Sequence, residues 1–143
     1  SIFSVFLIIS CQSEEKPIKT CNLEINQGIA KVDGKIYTGS CNLWYYTDDK
    51  DSILLKNLTY KKGKLYKEIA YYTDNGGIEY IGFRDRNGNK DGEFKRYFRN
   101  GQLELEGVLK EGYRSGKWQI YNDKGDLIEE VEYDKKGNPI TKN

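Results

Sequence analysis

Apolar and polar residues alternate along much of the chain beyond residue 20, at the period of half-buried strands. The alternation is plain in Gln102-Leu-Glu-Leu-Glu106 and in Gly92-Glu-Phe-Lys-Arg-Tyr-Phe98. Runs of strand length rich in β-branched and aromatic residues are separated by glycine-bearing turns. Those glycines form two interleaved series, Gly76, Gly101 and Gly125 in one and Gly63, Gly88, Gly112 and Gly137 in the other. Each repeating unit thus has two turns, each with a residue able to take positive φ. Asn100-Gly101 is the favoured dipeptide of a two-residue hairpin turn, with Asp74-Asn75-Gly76 and Lys124-Gly125 as looser versions. The pattern predicts an all-β fold of repeated antiparallel β-hairpins, about 24 residues each, pairing edge to edge into an elongated β-meander.

The repeat can be read residue by residue. Gly88-Asn-Lys-Asp-Gly92-Glu-Phe94-Lys-Arg-Tyr97 matches Gly112-Tyr-Arg-Ser-Gly116-Lys-Trp118-Gln-Ile-Tyr121 at an offset of 24. At that offset Gly101, Leu103 and Glu106 fall on Gly125, Leu127 and Glu130, while Tyr72, Gly76, Ile78 and Gly82 lie 25 residues before Tyr97, Gly101, Leu103 and Gly107. One hairpin cannot bury an aromatic face alone, so units must stack. Stacking predicts Phe94 and Trp118 in one ladder and Tyr97 and Tyr121 in another, with Leu103 and Leu127 completing the repeat core. Lys95, Arg96, Lys117 and Gln119 then face solvent.

These stretches resemble the MORN-repeat family, in the variant common in bacteria whose G-x-x-x-G-x-W-x-x-Y and nGkL…E segments recur. Gly112 to Glu130 fits best, Gly88 to Glu106 nearly as well, and Lys64 to Phe83 loosely. The first unit, from Gly34-Lys-Ile-Tyr37-Thr-Gly39, departs from the pattern at the crowded Trp44-Tyr45-Tyr46 and at a turn without glycine. The resemblance implies a MORN-like β-meander. It also carries an antitoxin-like (YwqK-like) label, which says little about mechanism.

Composition changes the picture mainly by exclusion. The chain has 143 residues, enough for one domain, and 23 basic against 22 acidic residues leave a net charge of +1. No global field marks a nucleic-acid binder. Histidine is absent, which removes Ser-His-Asp and Cys-His nucleophiles and every His-ligated metal site. Two alanines against 15 glycines and 12 tyrosines argue again for strands and turns. With no methionine in the sequence, Ser1 is not expected to be the translation start.

Residues 1–10 are uncharged and mostly apolar, spanning only about 15 Å as a helix, so they read as the remnant of a signal h-region rather than a membrane span. Ile8-Ile9-Ser10-Cys11 resembles the bacterial lipobox. That resemblance implies cleavage before Cys11, lipidation of its thiol and acylation of its amine, a durable anchor at about 0.8 kcal/mol per buried CH₂. An ordinary cleaved signal with a chance cysteine is the alternative. Residues 11–19 form a polar tether, and residues 20–143 the MORN-like β-repeat domain. Gln12 stands where the inner-membrane retention signal has Asp, and Glu14-Glu15 resembles a surface-export signal as much as a plain spacer. The expected address is the bacterial cell envelope, at the outer membrane. In that compartment Cys21 and Cys41 are expected to form a disulfide, closing a loop of about 20 residues worth about 3 kcal/mol, with two buried free thiols as the other reading.

Three further patterns invite chemistry. Asp85-Arg-Asn87-Gly-Asn89-Lys-Asp91 spaces oxygen ligands like a calcium loop, but the ligand series is lost in the next unit while the turn persists, so it reads as a repeat turn. Glu104/Glu106 and Glu130/Glu132 lie two apart, placing each pair on one strand face, as a carboxylate hydrolase needs and as any polar sheet face supplies. Lys56, Lys61, Lys62, Lys64 and Lys67, interleaved with Tyr60 and Tyr66, suit anionic lipid heads, an acidic partner, or simply solvated strand edges. Asn57-Leu58-Thr59 is a glycosylation sequon expected to go unused. No catalytic residue, metal or cofactor is assigned. The expectation is a lipid-anchored, non-enzymatic scaffold that meets the membrane through its anchor and an unidentified protein through its sheet. An antitoxin or immunity-type protein is the alternative, and a carboxylate hydrolase the remote one.

Overall fold

The computed structural model describes residues 23–46 and 51–141. Among them are eleven strands in two antiparallel sheets and no helix. A small sheet holds β1 (Glu24–Asn26), β2 (Ile29–Val32) and β3 (Lys35–Ile36). The large sheet runs β4 (Gly39–Tyr46), β5 (Ser52–Lys61), β6 (Lys64–Tyr71), β7 (Ile78–Phe83), β8 (Gly92–Tyr97), β9 (Leu103–Lys110), β10 (Tyr113–Tyr121) and β11 (Leu127–Tyr133). Each strand pairs with its neighbour in sequence, so the eight strands form an open meander without a crossover. The all-β hairpin meander read from the sequence is the observed architecture. The three-stranded sheet before it is an addition that the repeat pattern does not contain.

Four hairpins (β4–β5, β6–β7, β8–β9 and β10–β11) make up the large sheet, and each carries the same defect. Register slips between Leu43 and Trp44, Ala70 and Tyr71, Arg96 and Tyr97, and Ile120 and Tyr121. In all four the returning strand inserts one extra residue, Leu55, Glu79, Glu104 or Ile128. Such bulges sharpen the twist and reverse which face the following residues occupy.

The turns fall into two kinds. Gln27 with Gly28, Asp33 with Gly34, Lys62 with Gly63, and Glu111 with Gly112 all have positive φ at both residues, the geometry whose twist matches a two-residue hairpin. The segments 85–89, 98–102, 122–126 and 134–138 are five-residue turns with glycine fourth, closed by bonds such as Phe98 N–H to Gln102 O (2.8 Å) and Asn122 N–H to Asp126 O (2.9 Å). All seven repeat-turn glycines take positive φ. Asn100-Gly101 is not the tight turn its dipeptide suggested. Only Gly101 is at positive φ, and the Asn100 side chain instead accepts Gln102 N–H (3.0 Å) and donates to Asp123 O in the next turn (2.7 Å). The 72–77 turn is one residue longer than 98–102, with Tyr72 N–H bonded to Gly77 O. Tyr71 therefore occupies the place of Tyr97 and Tyr121, correcting the match of Tyr72 to Tyr97.

The small sheet docks on the β5–β6 turn. Ala30 N–H donates to Gly63 O (2.7 Å), Gly63 N–H to Tyr37 O (2.7 Å), and Ala30 is fully buried. A Cβ at Gly63 would lie 2.8 Å from Ile29 Cγ2, so only glycine lets the backbones approach this closely. Tyr60 is buried beside this contact, edge-on to Tyr37 at 6.0 Å.

Candidate functional site

One row of residues crosses the large sheet on its more buried face. Direct pairing gives Cys41 opposite Leu58, Leu58 opposite Glu68, Glu68 opposite Gly82, Phe94 opposite Gly107 and Trp118 opposite Val131. Cys41, Glu68, Phe94 and Trp118 each stand three residues before the aromatic at the bulge, and so hold one repeat position. Trp118 is 2% exposed and lies directly on Gly107, where a Cβ would come 2.3 Å from the indole. Its Nε1–H donates to Val108 O (3.1 Å), its ring meets Phe94 (6.1 Å) and Tyr133 (6.4 Å), and the Arg114 guanidinium covers it at 4.5 Å. Phe94 in turn stacks on Tyr80 at 5.9 Å. Large ring opposite glycine is the packing rule of this half of the row.

The same position in β6 is Glu68, only 6% exposed. Tyr80 OH donates to its Oε1 (3.1 Å), Arg84 Nη2 lies 3.3 Å from the same oxygen, and Lys56 Nζ lies 3.7 Å from Oε2. Lys56 also donates to Tyr80 OH (3.2 Å). Partial burial lowers the Lys56 pKa, but the hydrogen bond to Tyr80 and the charge of Glu68 outweigh it, leaving the pKa raised. Arg84 Nη1 donates to Gly88 O (3.0 Å), whereas Arg84 Nε is buried without a partner. This ionic core was missed in the sequence because Glu68 reads as the polar member of an alternating strand.

The opposite face is polar and largely matched in charge. Lys95 lies 3.3 Å from Glu106, Lys117 2.7 Å from Glu130, and Gln119 Nε2 donates to the same Glu130 oxygen (2.8 Å). Ser40 pairs with Thr59 and Asn57 with Asn42 across β4 and β5. Tyr121 OH donates to Glu106 (3.1 Å), and burial followed by this carboxylate contact raises the tyrosine's pKa. Glu104 is different. As the bulge residue it turns to Arg96, which grips it through both Nε (2.6 Å) and Nη2. Lys95 and Arg96 are successive strand residues on opposite faces, so Glu104 and Glu106 do not share a face as expected. The bulge has separated them.

The repeat-core residues are not equally covered. Phe94, Tyr97, Leu103 and Tyr121 are half-buried, whereas Leu127 is 48% exposed because it opens β11, the outer strand of the sheet. Tyr97 and Tyr121 are tied through the backbone and through carboxylates, as when Tyr72 OH donates to Tyr97 O (2.6 Å). In the calcium-like segment, Asp85 Oδ1 accepts Asn87 N–H (2.8 Å) and Asn89 N–H (3.0 Å), and Oδ2 accepts Asn89 Nδ2 (3.2 Å). Asp134 repeats this with Lys136 and Asn138. The carboxylates close turns, and no group of three metal-ligating side chains gathers among the described residues. Cys41 is disulfide-bonded and 2% exposed. Cys11, Cys21, the lipobox and the tether lie outside the described residues.

A groove of about 860 Å³ opens where the Lys62–Gly63 turn faces the 85–89 turn, lined by Lys61, Lys62, Lys64, Arg84 and Arg86 over Leu65 and Tyr66. A smaller hollow of about 310 Å³ adjoins it and extends to Gln27 and Gly28 of the small sheet. Part of the basic stretch seen in the sequence thus converges, joined by two arginines from the next hairpin. Lys56 is spent on Glu68, and Lys67 lies 5.7 Å from the Phe83 ring. Comparison with protein-family models, curated proteins and solved structures finds no match to this chain.

Proposed function

We propose that this chain is a lipid-anchored protein of the bacterial cell envelope whose MORN-like hairpin repeat acts as a protein-interaction module. The observation that carries the reading is the open meander, which is a single sheet with one face rigidified by its own aromatic and ionic row. The other face then presents a broad polar surface to a partner. Internally matched charges keep that surface soluble while leaving hydrogen-bonding groups at fixed spacing. Cys11, acylated, holds the sheet at the membrane through the polar tether. The antitoxin or immunity-type reading is a special case of this one, and it fails if no neighbouring gene product is toxic alone. For the hydrolase alternative, Glu104 and Glu106 face apart, whereas Glu130 and Glu132, opposite Gln119 and Lys117, keep one face.

The test is labelled-palmitate incorporation in the producing cell, combined with membrane fractionation. The anchored reading expects label and membrane association to vanish together in Cys11→Ser. Label that persists in that variant overturns it. Site-specific photocrosslinkers at Lys95 and Lys117 on the polar face should trap a discrete protein adduct in intact cells, and silence at both positions counts against an interaction face.

A further inference from the structure

We propose that the groove walled by the Lys62–Gly63 and 85–89 turns binds an extended acidic segment of a protein partner. The inference rests on the interaction-module reading and names the chemistry of what is bound. Four cations elsewhere on the sheet are paired with carboxylates, Lys95 with Glu106, Arg96 with Glu104, Arg99 with Asp74 and Lys117 with Glu130, while Arg114 is packed on Trp118 and bonded to Tyr133 OH. Around the groove the pairing stops. Lys61 stacks on the Tyr66 ring at 3.4 Å, Lys64 donates to Arg86 O (2.9 Å), and Lys62 and Arg86 have no carboxylate partner among the described residues. The single carboxylate in the lining, Asp85, is consumed by its own turn. Five cations therefore share one open trough with a single lining carboxylate, Asp85, whose oxygens are turned to its own turn, and Arg84 also reaches Glu68, so the trough keeps an excess of positive charge.

The arrangement favours a chain over a point anion. The cations are spread around the trough's rim on two turns, and its floor is Leu65 and the partly exposed Tyr66. A segment alternating Asp or Glu with apolar residues matches both features. Its carboxylates reach the lysines and Arg86 while its apolar side chains cover Tyr66. Such contacts are exposed and are screened beyond a Debye length of about 8–10 Å, so affinity must fall with salt.

The experiment measures anisotropy of a short labelled peptide alternating Glu and apolar residues, titrated with the mature chain. A Gln-for-Glu peptide and phosphatidylglycerol vesicles are run alongside. The Glu peptide should bind, the Gln peptide should not, and raising salt to about 0.5 M should abolish the signal. Lys61→Glu/Lys64→Glu should weaken binding about tenfold or more, and Arg86→Ser should weaken it less. Lys135→Glu/Lys136→Glu, an equal charge change outside the groove, should leave it unaltered, with melting temperatures confirming that each variant folds. No binding by the parent chain, equal loss in the Lys135/Lys136 variant, or vesicle binding without peptide binding overturns the proposal. If the groove fails while crosslinks form at Lys95 and Lys117, the interaction reading stands without it.

Discussion

The buried row of the large sheet solves one packing problem in two ways. In β8 and β10 the repeat position is Phe94 or Trp118, laid over the glycine opposite. In β6 the same position is Glu68, ringed by Lys56, Tyr80 and Arg84. An aromatic removes about 150–250 Å² from water and needs only a flat, empty neighbour. A buried carboxylate must be paired on every side, and the cost of desolvating three charges consumes much of what their attraction returns. The aromatic half is therefore the stabilising half. The ionic half holds Arg84, a residue of the groove wall, in a fixed position, and it accepts a smaller net gain in stability to do so.

Truncation should expose that asymmetry. Trp118→Ala removes the centre of the aromatic half and should cost about 3–5 kcal/mol in chemical denaturation. Glu68→Ala leaves two cations without their anion and should cost about 3 kcal/mol. Replacing Lys56, Glu68 and Arg84 together with Met, Leu and Met should recover most of that loss, because the penalty lies in the unpaired charge. If the triple variant is no more stable than Glu68→Ala, the ionic core contributes more than assigned here. Gly107→Ala drives a methyl into the indole and should cost about 2 kcal/mol. In a Trp118→Ala background its cost should fall to near zero, a coupling that a double-mutant cycle reads directly.

The smallest effect is set by pH at the turns. Desolvation raises the Asp85 pKa, but the hydrogen bonds from Asn89 and neighbouring backbone N–H groups together outweigh it and hold the carboxyl below its ordinary value of 3.8. Backbone and side-chain bonds from Asn138 do the same for Asp134. A carboxylate whose folded pKa is depressed adds stability that is fully present above the unfolded value and is lost as pH falls through the folded one. Melting temperature should therefore drop below about pH 4. Asp134→Asn should flatten part of that slope, since an amide oxygen caps the turn without titrating.

How far the sequence reaches is clear from particular residues. Strand-length alternation, the turn glycines and the nearness of Phe94 to Trp118 are all local or periodic signals, and each is observed. The bulges are not signalled, because one added residue leaves Leu103-Glu-Leu-Glu106 looking like plain alternation while its glutamates turn to opposite faces. The longer 72–77 turn hides Glu68 in a similar way. Counting back three from Tyr72 puts Ile69 at the aromatic position, an unremarkable core residue, whereas counting from Tyr71 puts Glu68 there. A buried charge at a repeat's aromatic position is the signal that marks the ionic core, and it becomes visible only once turn length is known. The groove needs Arg84 and Arg86 brought beside Lys61 to Lys64 from the next hairpin, a long-range pairing that no single strand announces.

Stability and recognition occupy different halves of the sheet in this account, so they must separate in one paired measurement. Melting temperature and acidic-peptide affinity are determined together for Trp118→Phe and for Lys61→Glu/Lys64→Glu. Trp118→Phe should lower the melting temperature and leave affinity intact at temperatures where it is folded. The charge reversal should weaken binding about tenfold or more and leave the melting temperature within about a degree or two. Binding lost with Trp118→Phe while folded, or undiminished after the charge reversal, contradicts the division.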